Sequence, residues 1–455
     1  MEKQVDVVVI GAGLTGLTTA FYLKKSGLSV AVIERSSRIG GVIQTVKEDG
    51  FIFETGPNTG VIAHPEVAEL FEDLAPLCTL ETANLEAKKR LILQNGRWEA
   101  LPSGLWKAVK TPLFTFKDKL RLLGEPFRKR GNNPFESIAE LVKRRMGVSF
   151  LNYAVDPFIS GIYAGEPSKL VTKYALPKLY MLEQDYGSFI VGGFKKSFAK
   201  KEPRMSKATR EVFAAKGGLG SMISALGSSI GSENIHLSSE LVIVSKTDVG
   251  YITSFSNINQ IHSKWVVSTA DAEALPSIFP FIPTSTLKPI EALRYAAVTQ
   301  VILGYKKWSG CDVNAFGGLI PTIENRKILG VLFTSSFFGN RAPDGGVLLS
   351  VFMGGVKRPE VYDMSDEAIK TIVLDELKDI MELQDATPDL IHIYRYKRAI
   401  PQYEASTKER LEAIQEIQEQ YPNLILSGAI RDGIGMADRI KQARMVADDI
   451  CGRNH

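Results

Sequence analysis

Cysteine is scarce. The three present among 455 residues (Cys78, Cys311 and Cys451) are far apart, odd in number and without a Cys-x-x-Cys pair. This excludes a disulfide-stapled scaffold and reads as free thiols in a reducing compartment. The five histidines (His64, His236, His262, His392 and His455) have no metal-ligand spacing, so no zinc or other metal site is expected. Long apolar runs are missing too. The longest uncharged stretch, Val7 to Leu23, has 17 residues and carries three glycines and three threonines, whereas a bilayer-spanning helix needs about 20 apolar residues. Glu2 and Asp6 spoil the positive start of a secretory signal. No tandem repeat or low-complexity segment is visible. What remains is 44% apolar and 23% charged, the balance of a soluble globular protein of about three structural units.

No large excess of one charge exists either, with 55 basic against 51 acidic residues. The distribution is uneven. Between positions 104 and 145 stand eleven basic residues (Lys107, Lys110, Lys117, Lys119, Arg121, Arg128, Lys129, Arg130, Lys143, Arg144, Arg145) and four acids, Asp118, Glu125, Glu136 and Glu140. One local patch carries the basic character, which points to a surface partner rather than to a basic protein; no nucleic-acid partner is expected.

Val5 to Ile10 is a short β-branched run, the mark of a buried parallel strand. It leads into Gly11-Ala12-Gly13-Leu14-Thr15-Gly16, a helix expected from Leu14 to about Ser26 with Gly27 as its C-terminal cap, and a second strand over Ser29–Ile33. Gly11 makes the tight turn, Gly13 lets the backbone approach a pyrophosphate, and Gly16 lets helix and strand pack closely. The helix N-terminus offers free N–H groups to phosphate, and Glu34, 18 residues past Gly16, stands where an acid meets a ribose hydroxyl. This is a dinucleotide site, and by itself it leaves a nicotinamide or a flavin open.

The far end repeats the pattern: a strand at Leu424–Ser427, the turn Arg431-Asp432-Gly433-Ile434-Gly435-Met436, and a helix from about Ala437 to Ile450. Two other motifs fail on context. Gly227-Ser228-Ser229-Ile230-Gly231 matches Gly-x-Ser-x-Gly but follows a helical stretch instead of a strand. His64-Pro65-Glu66 begins a helix rather than a metal site.

Arg35-Ser36-Ser37-Arg38-Ile39-Gly40-Gly41 and Phe51-Ile52-Phe53-Glu54-Thr55-Gly56-Pro57-Asn58 resemble the large flavin oxidoreductases that include amine oxidases and phytoene desaturases. More specific are the stretch from Asp156 to Gly165 followed by Glu166-Pro167-Ser168-Lys169-Leu170, the segment Ala175 to Leu179, Leu182-Glu183, Gly187-Ser188, Phe333 to Pro343, and Ala399-Ile400-Pro401-Gln402-Tyr403. In this order, and over essentially the whole chain, they resemble the oxygen-dependent, FAD-containing protoporphyrinogen oxidases, a family that includes coproporphyrinogen III oxidases. In that family many members have a cysteine where this chain has Arg439.

The resemblance implies an α/β fold: a discontinuous Rossmann-like FAD-binding domain (1–75, 205–285, 395–455), a mixed-sheet substrate domain (76–100, 286–394) and a helical, membrane-associating domain (101–204). It implies FAD held by Gly11, Ala12, Gly13, Leu14, Thr15, Gly16, Glu34, Arg35, Gly40, Gly41, Thr55, Gly56, Pro57, Asn58, Leu241, Tyr396, Ile434, Gly435 and Met436. It also implies a porphyrinogen bound by Arg90, Gly165 and Phe333. Read without the family, Arg90 is a solvated charge in Lys88-Lys89-Arg90 and Phe333 a core aromatic. Flavin chemistry removes hydrogens from carbon without a strong protein base, so no catalytic acid or base is assigned. Electrons would pass to molecular oxygen or another acceptor.

The expected substrate is protoporphyrinogen IX, since Pro157 to Gly161 and Pro167 to Leu170 look more like the plant enzymes, with coproporphyrinogen III as the alternative. A non-enzymatic flavoprotein of the membrane surface is the reading from another class. The basic patch is interleaved with Leu105, Trp106, Val109, Leu113, Phe114, Phe116, Leu120, Leu122, Leu123 and Phe127, which suits a segment lying in the headgroup layer. The expected location is the cytoplasm, peripheral to the inner face of the cell membrane, with a homodimer possible.

Overall fold

A computed structural model describes residues 3–84, 88–102, 110–198, 202–256 and 259–454. The run Val7-Val8-Val9-Ile10 forms the end of strand Lys3–Ile10, and its residues are buried on both faces. Alternation divides them. Val7 and Val9 join the core beneath helices Leu14–Lys25, Gly220–Ile230 and Met436–Asn454, whereas Val8 and Ile10 join a second core covered by Thr284–Glu291 and Thr407–Gln420. Helices on both faces are the condition for a parallel sheet.

The parallel part runs Ile235–His236, Val30–Ile33, Lys3–Ile10, Asn259–Ser268 and Leu424–Leu426. Asn259–Ser268 is shared: its last residues pair with Leu424–Leu426, and its first half carries the antiparallel strands Tyr251–Phe255 and Ile243–Lys246. Strands from three distant stretches of sequence therefore end at one edge, at Gly11, Thr269 and Gly428. Ligands of open α/β sheets bind at that edge.

A second, mixed sheet runs Leu390–Pro401, Tyr295–Tyr305, Val347–Gly354, Ile328–Leu332, Gly317–Leu319, Arg90–Gln94 and Arg97–Ala100. Helix Asp366–Ile380 covers it, with Ile369, Val373, Leu377 and Ile380 buried at helical spacing. The boundary expected at 395 falls inside the strand Leu390–Pro401, so Tyr396 belongs to this sheet.

The stretch expected to be helical contains Phe116–Leu123, Ile138–Arg145, Asp156–Tyr163, Pro177–Tyr186 and Phe189–Phe198. Capping boxes start the first two: Thr115 with Asp118, and Ser137 with Glu140. The structure corrects the reading of the basic patch as wholly superficial. Arg145 has no accessible surface; its Nε donates to Glu125 (2.6 Å) and its Nη1 to Glu183 (2.6 Å). Arg144 pairs with Glu136 and Glu183. Burial disfavours both carboxylates, but their hydrogen bonds outweigh it and hold Glu125 and Glu183 below the usual range. Leu113 and Phe114 are also core residues, packed with Ile92. Lys107, Leu105, Trp106 and Val109 lie outside the described residues. No described helix is long and apolar enough to cross a membrane.

Candidate cofactor and substrate site

Gly11 stands at φ +100°, and a Cβ there would lie 2.4 Å from Thr269 Oγ1; at Gly16 it would lie 2.0 Å from the Gly11 carbonyl oxygen. Both positions require glycine for close packing. Gly13 differs, since a Cβ there would meet no atom within 4 Å. It is the N-cap of helix Leu14–Lys25, and no side chain caps the first-turn amides. Leu14 and Thr15 are buried behind it. An uncapped helix start facing open space, with no side chain in the way, is what a pyrophosphate needs.

Glu34 closes on this loop: Oε2 accepts the Ala12 N–H (2.7 Å) and Oε1 accepts the Ser36 N–H and hydroxyl (both 2.8 Å). Arg35 next to it is exposed. The Gly40 N–H donates to the Ala12 carbonyl (2.7 Å), and a Cβ on Gly41 would stand 3.3 Å from Gly13 Cα. Arg38 braces the double glycine, donating to the carbonyls of Gly41 (2.7 Å), Ile39 and Ile43. Thr55 to Asn58 lies alongside. The Thr55 N–H bonds Gln44, Gly56 has no room for a Cβ beside the Val42 carbonyl, Asn58 donates to the Gly56 carbonyl, and Pro57 is half-buried between them. Tyr396 reaches across from the second sheet. Burial pushes its hydroxyl pKa up, against a hydrogen bond with Thr55.

Leu241 stands apart from the loop cluster. It is exposed, in the left-handed region, two residues ahead of the strand Ile243–Lys246. Ser238 and Ser239 just before it bond the backbone of Ser36 and Glu34, which puts this stretch at the outer end of the cleft.

The C-terminal turn completes the edge. Gly428 packs on Thr269, and Gln442 accepts the Gly428 N–H (2.7 Å) while donating to Asp432 (2.9 Å). Asp438 Oδ2 accepts the Gly435 N–H (3.3 Å), and Asp438 Oδ1 lies 3.0 Å from His64 Nε2. Ile434 packs toward Tyr403, and Met436 is buried at the start of the closing helix. Arg439, given no role from sequence, donates through Nη2 to the Gly433 carbonyl (2.6 Å).

Of the expected substrate residues, Arg90 opens strand Arg90–Gln94, is exposed, and holds its guanidinium 5.5 Å from the Phe316 ring centre. Phe316 stacks on Phe337 at 4.7 Å. Phe333 has no accessible surface and sits in the core of the second sheet. In this structure it is a core aromatic, and Phe316 is the ring beside Arg90. Gly165 is buried where a Cβ would stand 2.7 Å from Gln402 Oε1, locking the Ala164–Gly165 turn onto the Pro401-Gln402-Tyr403 segment. Among the described residues no group of three His, Cys, Asp or Glu could hold a metal.

The model of the flavin containing amine oxidoreductases matches residues 14–451. The chain belongs to that family. Its cofactor is FAD, and the nicotinamide alternative falls. Full-length relatives include protoporphyrinogen oxidase 2, chloroplastic/mitochondrial, of Arabidopsis thaliana, 28% identical over 97% of this chain and 93% of the relative. The coproporphyrinogen III oxidase of Bacillus subtilis (strain 168) is 26% identical over 97% of each. Among solved structures, a protein of Exiguobacterium sp. 255-15 provisionally named protoporphyrinogen oxidase superposes with a TM-score of 0.82 at 22% identity, covering 100% and 99% of the two chains. Reduced UDP-galactopyranose mutase shares the fold at a TM-score of 0.74 and 16% identity.

His64, Arg38 and Phe316 were not assigned to the site from sequence. Arg38 stood inside a quoted motif, but nothing in the sequence ties His64 to Asp438.

Proposed function

We propose that the protein oxidises protoporphyrinogen IX to protoporphyrin IX with bound FAD, coproporphyrinogen III being the runner-up substrate. The observation that carries this is full-length similarity, at 28% and 26% identity, to relatives named for these two reactions. Bound FAD would supply the acceptor for hydride taken from carbon, with oxygen, reduced to peroxide, as the final acceptor of the electron pair. The chain supplies binding and orientation. Gly11 to Gly16 with Glu34 receive the ADP half, Gly40, Gly41 and Thr55 to Asn58 flank it, and Ile434 to Met436 meet the flavin. Leu241 and Arg35 border the outer end. Arg90, exposed beside Phe316, offers a cation to a propionate. Gly165 fixes a turn at the substrate side.

The choice between the substrates leans on Pro157 to Gly161 and Pro167 to Leu170. Side-by-side turnover of the two porphyrinogens tests it, with a higher kcat/KM on protoporphyrinogen IX expected. A clear preference for coproporphyrinogen III would overturn the substrate, and no turnover of either would leave a non-enzymatic flavoprotein.

We also propose peripheral contact with a membrane through helix Phe116–Leu123 and the residues after it. That helix has no buried residue; Phe116 is 74% and Phe127 90% exposed, beside Lys117 and Arg121. An apolar substrate and product exchange more easily at a bilayer than through water.

A further inference from the structure

Arg439 stands on the first turn of the 19-residue helix Met436–Asn454. One corner of its guanidinium is used, the Nη2 bond to the Gly433 carbonyl. Its Nε and Nη1 are shut off from solvent and meet no hydrogen-bond partner among the described residues. The acids nearby, Asp432 and Asp438, act on it through their charge but accept neither open donor. Asp438 serves His64 and the Gly435 N–H, while Asp432 takes Gln442 and lies 3.7 Å from Arg431. Tyr403 accepts neither open donor, and its hydroxyl donates to the same Gly433 carbonyl (2.9 Å). Burial weakens the hold of Arg439 on its proton, yet arginine stays charged at neutral pH. Two donors of a part-buried cation, shut off from solvent and unpaired, are costly unless negative charge meets them.

The turn gripped by this cation follows Gly428, which packs on Thr269 at the strand-end edge of the sheet. The helix behind it adds the positive end of its dipole, and at Gly435 a Cβ would meet only Asp438, at 3.4 Å. We propose that Arg439 is a fixed cation that stabilises the negative charge gained by FAD on reduction, and so raises the potential of the bound cofactor. A hydride brings two electrons and one proton, so the ring gains one negative charge; Arg439 answers it without giving up a proton. The inference rests on FAD as cofactor and not on which porphyrinogen is oxidised.

The test is the midpoint potential of the purified holoenzyme, measured without porphyrinogen, so its failure is distinct from a failure of the substrate assignment. Arg439→Met should shift the equilibrium at least tenfold toward oxidised FAD, about 30 mV for a two-electron couple. Arg439→Lys, which keeps the charge, should stay within roughly threefold of wild type. Tyr403→Phe removes the other bond to Gly433 and leaves the charge; it should also stay near wild type. An unchanged potential in Arg439→Met overturns the proposal, as does an equal drop in Tyr403→Phe, which would assign the effect to displacement of the turn. Should Arg439→Met purify without FAD, Arg439→Gln is judged by the same criterion. If neither neutral variant retains FAD, the arginine serves binding or folding instead and the proposal falls.

Discussion

His64 Nε2 lies 3.0 Å from Asp438 Oδ1 across 374 positions of sequence, joining the start of helix Pro65–Leu74 to the C-terminal glycine turn before helix Met436–Asn454. The other Asp438 oxygen holds the Gly435 N–H. One carboxylate thus ties both ends of the chain around the cofactor edge. Burial would raise its pKa, but the bond and charge of His64 outweigh that and hold it below the usual aspartate range.

Breaking this tie should loosen FAD. His64→Ala and Asp438→Ala each remove a hydrogen bond to a charged group, worth about 1.5 kcal/mol, or roughly tenfold in affinity. Titration of apoprotein with FAD measures it; unchanged affinity in both variants would show that the tie is incidental. The sign with pH is fixed. Because the folded Asp438 pKa is lowered, its contribution to folding stability is complete above the ordinary aspartate range and is lost as pH falls through the lowered value.

Gly13 and Gly16 should fail in different ways. A Cβ on Gly16 meets the Gly11 carbonyl oxygen at 2.0 Å, so Gly16→Val should cost about 1–3 kcal/mol or more through overpacking and lower the Tm of the apoprotein. Gly13→Leu meets open space and should leave the apoprotein as stable as wild type while abolishing the flavin spectrum. A Gly13→Leu protein with full flavin absorbance would mean that the pyrophosphate lies elsewhere.

Glu54 gives the fold a pH dependence. It is buried, with Oε1 accepting the Leu219 N–H and Oε2 the Thr45 hydroxyl (both 2.8 Å). Desolvation pushes its pKa to about 7, against those two bonds and the charge of Arg341. A rise from 4.5 to about 7 corresponds to about 3 kcal/mol. The folded value is above the unfolded one, so the contribution is complete below about pH 4.5 and disappears as pH rises through about 7. Unfolding free energy measured from pH 5 to 8 should fall more steeply in wild type than in Glu54→Gln. Parallel curves would place the proton elsewhere.

Much of the cofactor edge was legible in the sequence because local rules govern it. Strand, glycine turn and helix at residues 5–26 follow from β-branched runs and punctuation, and Gly227 to Ile230 proved to be the end of a helix, as context required. His64 began a helix for the same reason. Contacts between distant segments were not legible. Burial of Arg145 depends on Glu125 and Glu183 arriving from two other elements, and periodicity over Ile138–Arg145 cannot show that its last arginine turns inward. Phe333 and Phe316 are alike as residues; only the packing of the second sheet makes one a core ring and the other a neighbour of Arg90.

Those corrections sharpen the membrane prediction. With Arg145, Leu113 and Phe114 committed to the interior and Arg144 paired with Glu136 and Glu183, the available apolar groups are Phe116, Leu120, Leu123 and Phe127, all exposed. Of the basic groups after the helix, Arg128 donates to the Arg144 carbonyl and Arg130 to Gln184, so they are partly engaged. Each basic residue near an anionic surface contributes about 1 kcal/mol. Burying a large apolar side chain in the lipid contributes about 1.5–3 kcal/mol. The apolar face should therefore dominate retention, and the charges should set lipid selectivity. Vesicles with anionic lipid should co-sediment the protein at low salt, and neutral vesicles much less. Replacing Arg128, Lys129 and Arg130 by glutamate should reduce that selectivity and its salt dependence. Replacing Phe116, Leu120, Leu123 and Phe127 by serine should abolish sedimentation on either vesicle, with the flavin spectrum intact. Equal sedimentation of wild type and the serine variant would return this helix to the role of a solvated face.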